Sequence, residues 1–146
     1  AQILWGSLVL GACSLVHLVL IIWWVGYLKS KTNRFLQSTK FLKLFIPIAG
    51  TFALLIISHT IQVWIWAVVL IWLGALPALF EAIYFSLVTY TTLGYGDVIL
   101  SNEYKVFGAM ASVTGLLNFG VSTAILVAIL GKILPNHFDL QGHLYN

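Results

Sequence analysis

Thr91-Thr-Leu-Gly-Tyr-Gly-Asp97 (TTLGYGD, residues 91–97) is a polar, glycine-bearing heptad in a chain of 146 residues that is 61% hydrophobic and 8% charged. The apolar run before it, Leu79 to Thr91, rises about 1.5 Å per residue as a helix. It therefore reaches only about two-thirds of the way across a bilayer core. A segment of that length cannot join opposite faces of a membrane. It enters and returns on one side, and the heptad is its return leg. Irregular backbone at membrane depth is tolerated only where it is buried in protein or lines a water-filled cavity. Something polar must meet these peptide groups.

The rest of the chain supports a lipid environment. Soluble domains carry about a quarter charged residues, and the few polar side chains here could not cover a core of this size. Three stretches reach the roughly 20 residues needed to span: Ile3 to Leu28, Leu44 to Leu73 with Pro47 near its start, and Val106 to Leu134, stopped by Pro135. The expected fold is an all-α membrane protein with three transmembrane helices, a re-entrant helix and a loop. Its parts are a peripheral N-terminal helix with a basic loop (1–43), a pore-forming unit (44–134) and a short tail (135–146). Cys13, the single cysteine, excludes a disulfide framework.

Charge placement sets the expected orientation. The net charge of +3 is carried mainly by one loop, where Lys29, Lys31, Arg34, Lys40 and Lys43 make up most of the 7 basic residues. By the positive-inside rule this loop is cytoplasmic. The N-terminus is then outside, the C-terminus inside, and the re-entrant segment opens outward in a multi-pass cell-membrane protein. Glu81, Asp97 and Glu103 fall on the external face. The basic loop is also a candidate contact for anionic lipid, and charge gathered there does not point to nucleic acid. The six tryptophans lie mostly toward span ends, as an interfacial belt requires.

Span, short helix, Thr-Thr-Leu-Gly-Tyr-Gly-Asp, span: over roughly residues 44–134 this resembles the pore domain of potassium channels. The context as well as the letters makes the match specific. The resemblance implies a K+ filter built from Thr92, Leu93, Gly94, Tyr95 and Gly96, completed by four copies in a homotetramer. A desolvated cation needs its water oxygens replaced, and potassium filters use rings of backbone carbonyls. Gly94 and Gly96 can take positive φ without a Cβ clash, which lets consecutive carbonyls face one axis. Leu93 and Tyr95 then point away and brace the loop. The resemblance also implies that the Thr92 hydroxyl supplies the innermost oxygens. Asp97, at the mouth, concentrates cations electrostatically.

Some positions depart from the family pattern. Tyr84 and Phe85 stand where many relatives carry two tryptophans, so Phe85 cannot donate to Tyr95, while Thr89 is placed to do so. Val88 replaces a glutamate that braces the filter acid in some relatives, leaving Tyr84 to reach Asp97. In the third span Leu116, Phe119, Thr123 and Val127 recur on one helical stripe. By resemblance these residues line the cavity and inner gate, with Gly115 at the hinge position. Gly120 is expected to permit close helix packing, and Asn118 to bond between helices.

His17 and His59 lie within spans and are functional candidates for that reason. They are either a proton sensor or neutral bridges between helices, with Ser14 and His17 facing the polar island Ser58–Gln62. The extra helix is expected at the periphery, against span two. No span carries repeated arginine or lysine, so a charged-helix voltage sensor is not expected. No nucleophile–base pair, metal-ligand spacing or phosphate loop suggests an enzyme. The expected function is potassium-selective conduction, with K+ as the permeant ion. A non-conducting sensor subunit and a non-selective cation channel are the alternatives.

Overall fold

A computed structural model describes residues 1–36 and 41–142, and the side-chain surroundings of 1–31 and 45–132. Four helices follow one another: α1 (Gln2–Leu36), α2 (Phe41–Trp72), α3 (Leu79–Tyr90) and α4 (Lys105–Gly142). Among the described residues there is no strand. Gln2–Lys31, Phe45–Trp72 and Lys105–Lys132 are long and apolar enough to cross a membrane. The 12 residues of α3 are not. The chain is thus an all-α, multi-pass membrane protein with one short helix between its second and third spans.

Two boundaries differ from expectation. α2 begins at Phe41, which places Pro47 inside the helix rather than in its first turn. α4 does not stop at Pro135 but runs on to Gly142. In both cases proline removes a single backbone donor, and the helix continues past the one bond it lacks. The side chains of Arg34, Lys40, Lys43 and the 135–146 tail lie outside the described surroundings.

The end of α2 is set by Gly74, whose φ of 68° lies in the left-handed region. Its N–H donates to the Ile71 carbonyl and that of Ala75 to the Leu70 carbonyl, both at 2.9 Å. This is the paired closure that a glycine just past a helix favours. It turns the chain through Pro77 into α3. The start of α4 is capped by a different helix. Gln2 Oε1 on α1 accepts from the N–H groups of Val106 (3.0 Å) and Phe107 (3.1 Å), two donors that α4 cannot satisfy itself.

α1 lies in the groove between α2 and α4, antiparallel to the first and parallel to the second. Trp24 Nε1 donates to Thr51 Oγ1 at 2.9 Å. Its ring covers Gly50, where a Cβ would come within 2.7 Å of the indole. Gly6 faces the side chain of Met110 in the same way. The expected packing of α1 against span two is present, and α1 packs on α4 more extensively still. Small residues let the backbones approach, and in lipid that close packing, rather than a hydrophobic drive, is what associates helices. Cys13 of α1 joins Val63, Trp66, Tyr90 and Phe107 in a single buried cluster. Trp66 is a core residue and not part of an interfacial belt; its ring lies 5.2 Å from that of Phe107.

Candidate functional site

α3 ends where its last carbonyls are taken up by the loop that follows. The N–H groups of Thr91, Thr92, Leu93 and Gly94 donate to the carbonyls of Leu87, Thr89, Val88 and Val88, at 2.9–3.2 Å. No peptide bond here is cis, and in a trans unit the carbonyl points opposite its N–H. The carbonyls of Thr91, Thr92 and Leu93 therefore face away from α3, together. The dihedrals continue the pattern: φ is 61° at Thr92, 57° at Gly94 and 76° at Gly96, while Leu93 and Tyr95 stay negative. Alternating left- and right-handed residues gather successive N–H groups on one side of a chain. The carbonyls of Thr91, Thr92 and Leu93 lie on the other.

Thr92 is the residue that the sequence did not single out for this conformation. A β-branched residue at positive φ is an outlier, and such strain clusters at functional sites. The glycines at 94 and 96 repeat every second residue. Extending that period one step back reaches Thr92, which was the available signal. All of 91–97 is exposed in the single chain, including Leu93 at 54% and Tyr95 at 67%. Tyr95 makes no hydrogen bond to Thr89 among the described residues. The Thr89 carbonyl instead accepts from Thr92 N–H and, at 2.9 Å, from Ser112 Oγ of α4.

At the far end of the loop, Tyr84 OH donates to Asp97 Oδ2 at 2.5 Å, and Val98 N–H donates to Asp97 Oδ1 at 3.1 Å. The phenol donation holds the Asp97 carboxyl below the usual carboxylate range. It also raises the Tyr84 phenol, which cannot ionise beside the carboxylate without losing the bond. The phenol–carboxylate hydrogen bond thus persists above the ordinary carboxylate pKa and is lost as pH falls through the lowered value. Tyr84→Phe should move the Asp97 midpoint upward, so that the carboxylate is lost earlier on acidification. A carboxyl-carbon NMR titration of the two proteins would read this directly, and an unchanged midpoint would contradict it.

The α4 stripe divides. Leu116, Thr123 and Val127 are exposed on one face. Phe119 turns into the chain instead, with its ring 4.7 Å from His59 and 5.5 Å from Tyr90. At 3.6 residues per turn, position 119 lies about 60° away from 116, whereas 123 and 127 lie within about 20°. Gly115 is pressed against α3. A Cβ there would lie 2.9 Å from the Tyr90 carbonyl carbon and nearer still to its oxygen. α4 is continuous through it. Gly120, expected to pack, faces open space within the chain.

Behind the loop lies a cluster that sequence reading only partly located. Asn118 Nδ2 donates to Gln62 Oε1 at 2.6 Å, as does Tyr90 OH at 2.9 Å. His59 bridges Tyr90 OH (2.8 Å) and Ser122 Oγ (2.9 Å) through its two ring nitrogens. His17 bridges Ser58 Oγ (2.7 Å) and Ser122 Oγ (3.1 Å). Ser14, expected to share this island, has a buried hydroxyl with no partner among the described residues. Tyr90 and Ser122 were missed because each reads as an ordinary helical residue until the helices are brought together.

A short helix capped by an alternating-handed loop, between two spans, is an arrangement suited to offering carbonyl oxygens to an ion. No curated protein and no solved structure matched the chain. Among protein families, the one described as ion channel matches residues 58–132, just over half of the sequence. That match takes in α2 from Ser58 onward, all of α3 and the loop, and α4 as far as Lys132, so this chain belongs to the ion channel family.

Proposed function

We propose that this chain is one subunit of a potassium-selective channel, in which four copies surround an axis and the 91–97 loop of each supplies one wall of the filter. The observation that carries this reading is the alternation of positive φ at Thr92, Gly94 and Gly96 with Leu93 and Tyr95 between. It turns consecutive carbonyls the same way, as replacement of a cation's hydration shell requires. Leu93 and Tyr95, exposed in one chain, would be covered by the neighbouring subunit. Leu116, Thr123 and Val127 would face the cavity below. Asp97, kept ionised by Tyr84, would enrich cations at the mouth.

In this reading K+ is the permeant ion, the basic loop is cytoplasmic and in reach of anionic lipid, and the filter opens outward. Gating does not come from a charged helix. Moving one elementary charge through the field yields about 2.3 kcal/mol per 100 mV, and no span holds a row of such charges. The test is reversal potential in liposomes under opposed potassium and sodium gradients. The expected result follows potassium and largely ignores sodium. Equal permeability would favour a non-selective cation channel, and no flux at all a non-conducting subunit.

A further inference from the structure

The hydrogen bonds behind the loop have only one consistent direction. Tyr90 has one hydroxyl proton, and it goes to Gln62 Oε1, so toward His59 the phenol can only accept. Nδ1 of His59 is then the donor, and a neutral imidazole has one donor and one acceptor. Nε2 of His59 must accept the Ser122 hydroxyl proton. Ser122 Oγ, its proton committed, accepts from His17 Nε2, and His17 Nδ1 accepts from Ser58. The order is Ser58 to His17 to Ser122 to His59 to Tyr90 to Gln62, with every hydroxyl proton assigned. His17, Ser58, Gln62 and Ser122 are buried, where an unmet polar group is costly. No link can therefore turn around without disturbing the next.

This chain of bonds passes through Tyr90, two residues before the first left-handed residue of the loop. The Tyr90 main chain is held too: its carbonyl sits against Gly115, and the next carbonyl back, of Thr89, accepts from Ser112. The base of the loop is thus fixed on its backbone side by α4 and on its side-chain side by the hydrogen-bond chain. One member, His17, belongs to α1, outside the residues that match the channel family.

We infer that His17, Ser122 and His59 are positioning residues for the filter: through Tyr90 they fix the base of the 91–97 loop, and α1 takes part in holding it. The inference rests on the proposed filter role of that loop, but its test does not require ion selectivity. The measurement is amide hydrogen exchange at Thr92, Leu93 and Gly94 in the full chain, purified in lipid nanodiscs. Tyr90→Phe, which keeps the ring and removes the link, should speed exchange at these amides by about threefold to tenfold.

His17→Ala, and the gentler Ser122→Ala that deletes only one hydroxyl, should do the same from a distance. In the Tyr90→Phe background neither should add anything further. Ser122→Thr, which keeps the hydroxyl, should restore the parent rate. Loop exchange unchanged by both His17→Ala and Ser122→Ala would overturn the inference. So would effects that simply add to that of Tyr90→Phe, since a general loosening of the bundle would behave that way. Reversal potentials of the parent, recorded in parallel, judge the potassium reading separately: a parent that ignores the potassium gradient overturns that reading and leaves the exchange result to decide this one.

Discussion

Gly94→Ala should abolish selective potassium conduction while leaving the helices in place. Gly94 sits at φ 57°, and a Cβ there meets nothing within 4 Å in its own chain. The penalty therefore comes from backbone conformation and not from a clash. An L-residue forced into the left-handed region costs roughly 1–2 kcal/mol. In the proposed tetramer, four copies would raise that to about 4–8 kcal/mol on a single ring of oxygens. The loop already carries one such residue in Thr92, which leaves little tolerance for another beside it. The cheapest relief is rotation of the peptide, which takes a carbonyl off the axis. Potassium efflux from liposomes should fall to background, with the far-ultraviolet dichroism of the parent retained. Gly120→Ala is the control, since position 120 is helical and open. Parent-like selective flux in Gly94→Ala would show that the alternation of handedness is dispensable.

Gly115→Ala should act on the same loop from the other side, through stability. The added methyl would enter the space of the Tyr90 carbonyl. Backbone at a helix end cannot swing aside as a side chain can, so α3 must shift away from α4. Overpacking of this kind typically costs about 1–3 kcal/mol. That shift would also strain the Ser112–Thr89 and Tyr90–Gln62 hydrogen bonds. Thermal unfolding in detergent should drop clearly for Gly115→Ala and hardly at all for Gly120→Ala. A hinge glycine predicts something different: normal stability with altered opening. Unchanged unfolding with a changed open probability would therefore move Gly115 from a packing role to a hinge role.

Some of this was open to a reader of the sequence because it depends on local properties. Hydropathy and length mark three spans, and the 12-residue α3 is visibly too short to be a fourth. Two glycines spaced by one residue announce an unusual backbone, and Tyr84 stands near enough along the chain to find Asp97. Other features depend on how helices lie against one another, and these a single periodicity cannot supply. His17 and Trp24 meet Ser58 and Thr51 because α1 and α2 run antiparallel in one particular register. A slide of one turn, about 5.4 Å, would separate every pair. Phe119 was grouped with the open stripe because its 60° offset matters only once His59 and Tyr90 occupy the space beside it.

By itself the sequence determined the class of the protein, its number of spans and the positive φ of Gly94 and Gly96. Each follows from composition or from neighbours along the chain, where free energy per residue in lipid or in a dihedral well decides. Tertiary structure alone decided that α1 shares the core, that Thr92 takes the left-handed conformation, that Gly115 touches Tyr90, and that two histidines join one directed chain of hydrogen bonds. These depend on contacts between residues tens of positions apart. In a membrane such contacts are selected by close packing and by the need to satisfy every buried polar group, conditions that exist only after the helices have come together.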